Sequence, residues 1–250
     1  MFQEEIDQEY IVTQNGTSEG TQVKYYKEGY WYKKDSRGRE GLAEYLVSQL
    51  LTFSDLEKEE YVLYEQGTIN GRWGCRSKNF LKREEELITF YRLYQNQFGR
   101  DLSQVIGRMD TMEERIEFVI QFVYECCRLD VRNYLAKIFQ LDKITLNEDR
   151  HLNNLALIYD GGKFIPAPIF DNGVSLLTAN QSVNRKLPVS ENIRRVTARP
   201  FSGSHQKMSS YFGNGFSLDI KSALEWLEQE TDSFEKDVLL YQLISADCDK

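Results

Sequence analysis

Residues 146–177 decide the fold, and they read LNEDRHLNNLALIYDGGKFIPAPIFDNGVSLL. A strand-like run at 155–159 and a second apolar run at 164–170 enclose a DGGK turn, which has glycines to supply positive φ. This pattern predicts a β-hairpin, and polar residues flank it on both sides. Because a hairpin returns its ends to the same place, the polar residues before it and after it are expected to lie close together.

Three side chains with oxygen ligands stand at the ends of this hairpin. Asp149 and Asn154 precede it, and Asp171 follows it. Phosphoryl transfer needs a carboxylate that orients the acceptor hydroxyl and hard oxygen ligands that hold Mg²⁺ against a triphosphate. The Asp-x₄-Asn spacing equals that of the kinase catalytic loop, and DNG stands where kinases carry DFG. Alone, the spacing is common in turns, but with the hairpin and the second aspartate it predicts a Mg²⁺-dependent kinase site.

A kinase site also needs a lysine on a strand and a glutamate on the following helix. Lys33 and Lys34 lie on a predicted strand and point to opposite faces, so only one of them can face the nucleotide. The segment 41–51 has helical spacing. Glu40 and Glu44 lie one helical turn apart, and both are candidates for the partner of that lysine.

The chain changes from strand-rich to helix-rich near residue 80 without a flexible linker. This change predicts an α+β, two-lobed, protein-kinase-like fold with a β-rich N-lobe at 1–80 and a mainly helical C-lobe at 81–250. Residues 60–66 are expected to form a strand that leads into the connection between the lobes. Helices are expected over 85–98, 111–127 and 131–142.

Composition narrows the possible partners, the cellular compartment and the side chains that can carry chemistry. The net charge is −8, with a sequence pI of about 5.0, so nucleic acid is an unlikely partner. Four cysteines without a CxxC pair favour reduced thiols in a cytoplasmic protein, although delivery to another cell stays open. No apolar run is long enough for a membrane span. Only two histidines occur, so carboxylates, amides and lysines must carry the chemistry.

Several segments resemble the HipA-like kinases, especially the small stand-alone branch of that bacterial family. They are LNEDRHLNNLALI with APIFDNGVSLL, GTQVKYYKEGYWYKKD with EGLAEYLVSQLL, and ARPFSGS at 198–204. The DRHxxN core is also similar to that of phosphoinositide 3/4-kinases. The resemblance implies Asp149 as catalytic base, Asn154 as a metal ligand and Asp171 as the principal metal ligand, with Mg²⁺ as the metal and ATP as co-substrate.

The same resemblance assigns the upstream residues. It implies that Lys33 binds the phosphates and that Glu44 is its ion-pair partner. Gly16 through Thr21 would form the glycine loop over the phosphates, and its nucleotide-binding residues would be Gly16, Thr17, Ser18 and Gly20. Added negative charge on the hydroxyl residues of this loop would repel a triphosphate.

The run 172–200 is a candidate activation loop, and a plain solvated loop is an equal alternative. Its candidate phosphosites, autophosphorylation included, are Ser175, Thr178, Ser182, Ser190 and Thr197. The leading function is phosphorylation of a protein serine or threonine hydroxyl. A small-molecule or lipid acceptor stays open, as does a nucleotide-binding pseudokinase that serves as an interaction module.

Overall fold

The structure, a computed structural model, describes residues 1–12 and 23–248 and has the expected α+β composition. The strands are β1 (Phe2–Glu4), β2 (Lys24–Lys27), β3 (Tyr30–Lys34), β4 (Tyr64–Ile69), β5 (Arg72–Lys78), β6 (Glu86–Thr89), β7 (Ala156–Tyr159) and β8 (Phe164–Pro166). The helices are α1 (Glu40–Leu51), α2 (Phe90–Phe98), α3 (Leu102–Ile106), α4 (Met112–Cys127), α5 (Arg132–Thr145), α6 (Val189–Asn192), α7 (His205–Phe212), α8 (Ile220–Gln229) and α9 (Phe234–Cys248). None of the helices in this part of the chain is long and apolar enough to cross a membrane.

The first sheet has five strands in the order β1-β4-β5-β3-β2, and only the β1–β4 pair is parallel. The hairpin β2–β3 turns at Glu28 and Gly29, which both have positive φ, as a tight two-residue turn requires. Helix α1 packs against β4 and β5 of this sheet. A Cβ atom at Gly41 would lie 2.4 Å from the backbone carbon of Gly74 in β5, so only glycine allows this approach.

The second sheet contains the predicted hairpin as β7 and β8, with β6 on the other side of β7. The helix expected over 85–98 is therefore wrong in its first residues. Residues 86–89 pair with β7, because this edge offers unpaired backbone groups and the apolar pair Leu87–Ile88 suits a pleated surface. Thr89 then starts α2, and its hydroxyl accepts a hydrogen bond of 3.1 Å from the Arg92 N–H.

The helices expected over 111–127 and 131–142 are confirmed as α4 and α5. A capping box between Thr111 and Glu114 sets the start of α4. The apolar faces of both helices share one large core with α1, whose Leu46 and Leu50 are buried in it. Along the chain, β5 is the last strand of the five-stranded sheet and β6 is the first strand of the three-stranded sheet. Residues 79–85 therefore connect the two sheets, and residues 60–66 do not. The division into two lobes at residue 80 stays a prediction.

The contact between α1 and β5 generates a stability prediction. In an ordinary helix interior, a glycine-to-alanine change stabilises by up to about 1 kcal/mol. We expect Gly41→Ala to lower the free energy of unfolding instead, by about 1–3 kcal/mol, because the new methyl group overpacks against the Gly74 backbone. Urea denaturation measures the change.

Gly162→Ala is the matched control. Its Cβ would meet nothing closer than the Asp160 side chain at 3.8 Å, which is an ordinary contact. This substitution should change the free energy of unfolding by less than about 0.5 kcal/mol. Equal stability of the Gly41→Ala and wild-type proteins would mean that α1 does not sit this close to β5.

Candidate active site

The ammonium group of Lys33 joins two carboxylates. Its Nζ atom lies 2.8 Å from Glu44 Oε1 on α1 and 2.8 Å from Asp171 Oδ1 after β8. The structure thus brings together a lysine, a glutamate and an aspartate from three separate parts of the chain. This geometry decides which lysine and which glutamate form the ion pair, namely Lys33 and Glu44.

Lys34 and Glu40 have other contacts. Lys34 Nζ lies 4.9 Å from the centre of the Tyr25 ring, on the face of the hairpin opposite to Lys33. The Glu40 carboxylate accepts hydrogen bonds from the backbone N–H groups of residues 36–38, at 2.7–3.1 Å. Glu40 therefore fixes the loop that precedes α1.

The cluster around Lys33 shifts the pKa values of its members. Burial disfavours the charged form of Lys33, but the two carboxylates outweigh burial and hold its pKa well above the ordinary value. Burial also favours protonation of Asp171, but Lys33 and then Lys24 outweigh it and hold the pKa of this carboxyl below its usual range. Lysine and aspartate are consequently both charged at neutral pH.

Arg150 connects the loop before the hairpin to the segment after it. Its side chain has no exposed surface and forms a bidentate ion pair with Asp142 of α5, at 2.9 and 3.0 Å. The same guanidinium donates to the Phe170 carbonyl at 2.9 Å and to Asn172 Oδ1 at 2.6 Å. Asp171 lies between these two acceptors, so the loop of Asp149 and the segment of Asp171 are in contact, as the hairpin predicted.

The DNG segment is shaped for this position. Asp171 adopts a left-handed conformation with φ of 60°, and the N–H of Asn172 donates to Glu44 Oε2 at 2.8 Å. Gly173 packs against α1, where a Cβ atom would lie 3.3 Å from the Cβ of Glu40. Asn172 therefore ties Asp171 to Arg150 and to α1 by hydrogen bonds, at the position where DFG has an aromatic side chain.

Asp149 and Asn154 occupy the loop before β7. The Asp149 side chain is 41% exposed, with Arg199 Nη1 at 3.6 Å and His151 Nε2 at 3.9 Å. Asn154 donates through Nδ2 to the Asp149 carbonyl at 3.0 Å, which fixes the direction of its amide. Its Oδ1 atom is buried and accepts no hydrogen bond within the described residues.

This buried acceptor fits a metal ligand. A buried polar oxygen without a hydrogen bond costs about 1–3 kcal/mol, and a cation would remove that cost. Asn154 Oδ1 and the charged Asp171 carboxylate are the hard oxygen donors that Mg²⁺ prefers. Across residues 1–12 and 23–248, no group of three or more histidine, cysteine, aspartate or glutamate side chains could hold a metal ion.

A cavity opens between the two sheets beside Lys33 and Asp171. Its lining residues are Lys24, Trp31, Lys33, Tyr64, Ser77, Asn79, Phe80, Leu81, Leu87, Phe170 and Asp171. The sequence did not indicate that residues 79–81 line this cavity. Their place in the segment that connects the two sheets is the signal that points to them.

Two expectations concern loops. The glycine-loop residues Gly16, Thr17, Ser18 and Gly20 lie outside the described residues. In the run 172–200, Ser175 and Thr178 are buried, Ser190 is half-buried, and Ser182 and Thr197 are exposed. The three hydroxyls with exposed surface remain the candidates for phosphorylation, because a kinase cannot reach a buried one.

The sequence matches no family model and no curated protein. Solved structures do match. The chain is similar to the Helicobacter pylori proinflammatory kinase CtkA, with a TM-score of 0.66 and 13% identity over 96% of this chain and 92% of that one. It is also similar to a chain in the Shewanella oneidensis MR-1 toxin–antitoxin complex of HipA, HipB and operator DNA. There the TM-score is 0.51 and the identity 10%, over 96% of this chain and 66% of that one.

At identities this low, the likeness to these structures establishes the fold alone. The resemblance to HipA-like kinases that the sequence indicated is therefore confirmed at the level of the fold. The α+β arrangement of a five-stranded sheet and helices is similar to that of a kinase structure.

The buried Arg150–Asp142 pair generates a prediction. We expect Arg150→Met to lower the free energy of unfolding by about 3–5 kcal/mol, because the Asp142 carboxylate is left buried without a partner. The double variant Arg150→Met/Asp142→Leu removes that unpaired charge and should be more stable than Arg150→Met alone. Guanidinium denaturation of the wild-type protein, of both single variants and of the double variant measures both effects. Additive losses in the double variant would mean that the two residues are not coupled.

Proposed function

We propose that this chain, which has the fold of the HipA-like kinases, is a kinase that transfers the γ-phosphoryl group of ATP to a protein serine or threonine hydroxyl. Mg²⁺ would be its metal. In this proposal the five-stranded sheet with α1 and the helical remainder are two lobes, and ATP binds in the cavity between the two sheets. The acceptor class follows the resemblance to HipA-like kinases.

The Lys33–Glu44–Asp171 cluster at the cavity wall is the observation that carries the proposal. A lysine held by a helix glutamate and placed beside a metal-binding aspartate is the arrangement that phosphate binding in kinases requires. The cavity adds apolar walls, including Leu81, Leu87 and Phe170, which suit the base of a nucleotide. Neither feature alone predicts a kinase, but they share one cavity.

The reaction needs the acceptor oxygen in line with the γ-phosphorus. A bond forms between that oxygen and phosphorus, and the bond from phosphorus to the β–γ bridging oxygen breaks, so ADP leaves. The proton of the acceptor hydroxyl passes to the Asp149 carboxylate, which is exposed enough to meet a protein substrate. Lys33 binds a phosphate oxygen, and Asn154 and Asp171 would hold Mg²⁺, which neutralises phosphate charge when bound.

The assigned base can be tested by substitution. We expect Asp149→Asn to lower the turnover number by about 10²- to 10⁴-fold, the range for loss of a general base, with ATP affinity unchanged. Asp160→Asn is the matched control, because Asp160 only orders the exposed hairpin turn through its bonds to Gly162 and Lys163. Incubation with ATP, Mg²⁺ and candidate proteins, followed by mass spectrometry, detects phosphosites on the acceptors and on the chain itself.

The outcomes separate the proposal from its rivals. Unchanged transfer by Asp149→Asn would show that this residue is not the base. A wild-type chain that binds ATP but phosphorylates nothing would be a binding module. Phosphate found on small molecules or lipids alone would keep the enzyme class and replace the acceptor.

The metal ligands can be tested without turnover. Wild-type protein should bind ATP more tightly with Mg²⁺ than without it. Asp171→Asn should lose most of this difference, because a neutral amide is a weaker ligand than the carboxylate that Lys33 keeps charged. Calorimetry with and without the metal measures both affinities. An undiminished effect of Mg²⁺ in the variant would place the metal elsewhere.

A further inference from the structure

We propose that a pocket beside Asp149 binds an acidic side chain of the protein acceptor, one or two residues away from the hydroxyl that is phosphorylated, and that Arg199 recognises this side chain. This inference rests on the proposed function and deepens it, since it names a sequence feature that the acceptor must carry. The residues assigned so far contact the nucleotide, the metal or the proton, and none of them selects the acceptor.

The pocket lies next to the carboxylate of Asp149. Two of its lining residues approach that carboxylate, with Arg199 Nη1 at 3.6 Å and His151 Nε2 at 3.9 Å. Consecutive residues of an extended chain are about 3.3–3.6 Å apart. An acceptor that places its hydroxyl at Asp149 therefore reaches the pocket with a side chain one or two residues away.

The lining of the pocket is cationic. It contains Arg115, His151 and Arg199 and no carboxylate among the described residues. Because the whole chain has a net charge of −8, its surface as a whole repels an acidic acceptor, and a local cationic pocket determines where such an acceptor can bind. Charge complementarity thus favours a carboxylate in this pocket over a neutral or basic side chain.

Neutral groups hold Arg115 in place. Its guanidinium is half-buried and donates to the Met109 carbonyl at 2.8 and 3.2 Å and to the Phe201 carbonyl at 3.1 Å. All three bonds go to uncharged oxygens, so they fix the guanidinium without cancelling its charge. A positive charge held in this way attracts an anionic ligand.

Arg199 projects from a fixed segment. Ala198 before it and Phe201 after it are buried, and the Ala198 N–H donates to the Gly203 carbonyl at 3.1 Å. The Arg199 side chain itself is 62% exposed. Its distance to Asp149 exceeds that of a hydrogen bond, and a guanidinium has several N–H donors, so Arg199 can bind a ligand carboxylate while it stays beside the base.

The test compares peptides that differ in one charge. Short alanine-rich peptides carry a central serine and, one or two residues before or after it, either glutamate or glutamine. Fluorescence anisotropy of labelled peptides measures binding without turnover, and mass spectrometry with ATP and Mg²⁺ measures kcat/KM. Both are applied to the wild-type protein, to Arg199→Met and to Arg72→Met, the matched control that removes the same charge from an exposed site at the start of β5.

We expect the wild-type protein to favour a glutamate peptide over its glutamine partner by about three- to tenfold, between the effect of an exposed ion pair and that of a charge-assisted hydrogen bond. Arg199→Met should lose most of this preference, and Arg72→Met should keep it. Because each protein is judged by the ratio between two peptides, a general loss of activity in a variant does not imitate the expected result.

Equal affinity of the wild-type protein for glutamate and glutamine peptides at every position would overturn the inference. A preference that Arg199→Met retains would also overturn it, because another part of the surface would then recognise the charge. Preferred binding of glutamate peptides that depends on Arg199, without transfer of phosphate to any of them or to a protein, would support the pocket and contradict the proposed function.

Discussion

The interaction on which the rest of the structure depends is the pair of ion pairs made by Lys33. One ammonium group of β3 holds Glu44 on α1 and Asp171 after β8, and 11% of its side chain is exposed. A charge in such a place is stable only when its partners are present and well oriented. The contact of α1 with the sheet and the return of the hairpin are therefore constrained together, since moving either one would leave a charge unpaired.

Arg150 is a second buried cation with a different role. Lys33 faces a cavity, so its ammonium can exchange a carboxylate contact for a ligand. Arg150 has no exposed surface, and its partners are all protein groups. Any ligand contact would require breaking a bidentate ion pair in a poorly solvated place. This difference in access agrees with the proposed function, in which Lys33 contacts the nucleotide and Arg150 holds the two ends of the hairpin together.

The sequence predicted the hairpin, α4, α5 and the meeting of Asp149 with the Asp171 segment, because each depends on local periodicity or on turn chemistry. It did not predict β6, since four residues before a helix have no strand signature of their own until β7 offers its edge. The roles of Arg150 and Asn172 were missed for a related reason. Their hydrogen bond joins residues of opposite ends of the hairpin, and no spacing rule indicates which polar side chains will turn inward.

Two hydrogen bonds, one at the residue before α1 and one at Glu44, fix the start of this helix. Glu44 accepts from the N–H of Asn172, and the N–H of Arg39 donates to the Thr178 hydroxyl at 2.8 Å. That hydroxyl donates in turn to the buried Glu235 of α9 at 3.0 Å. A phosphate on Thr178 would break both bonds and would place two negative charges side by side. This arrangement of α1 and Asp171 is thus held by hydrogen bonds that need an unmodified hydroxyl.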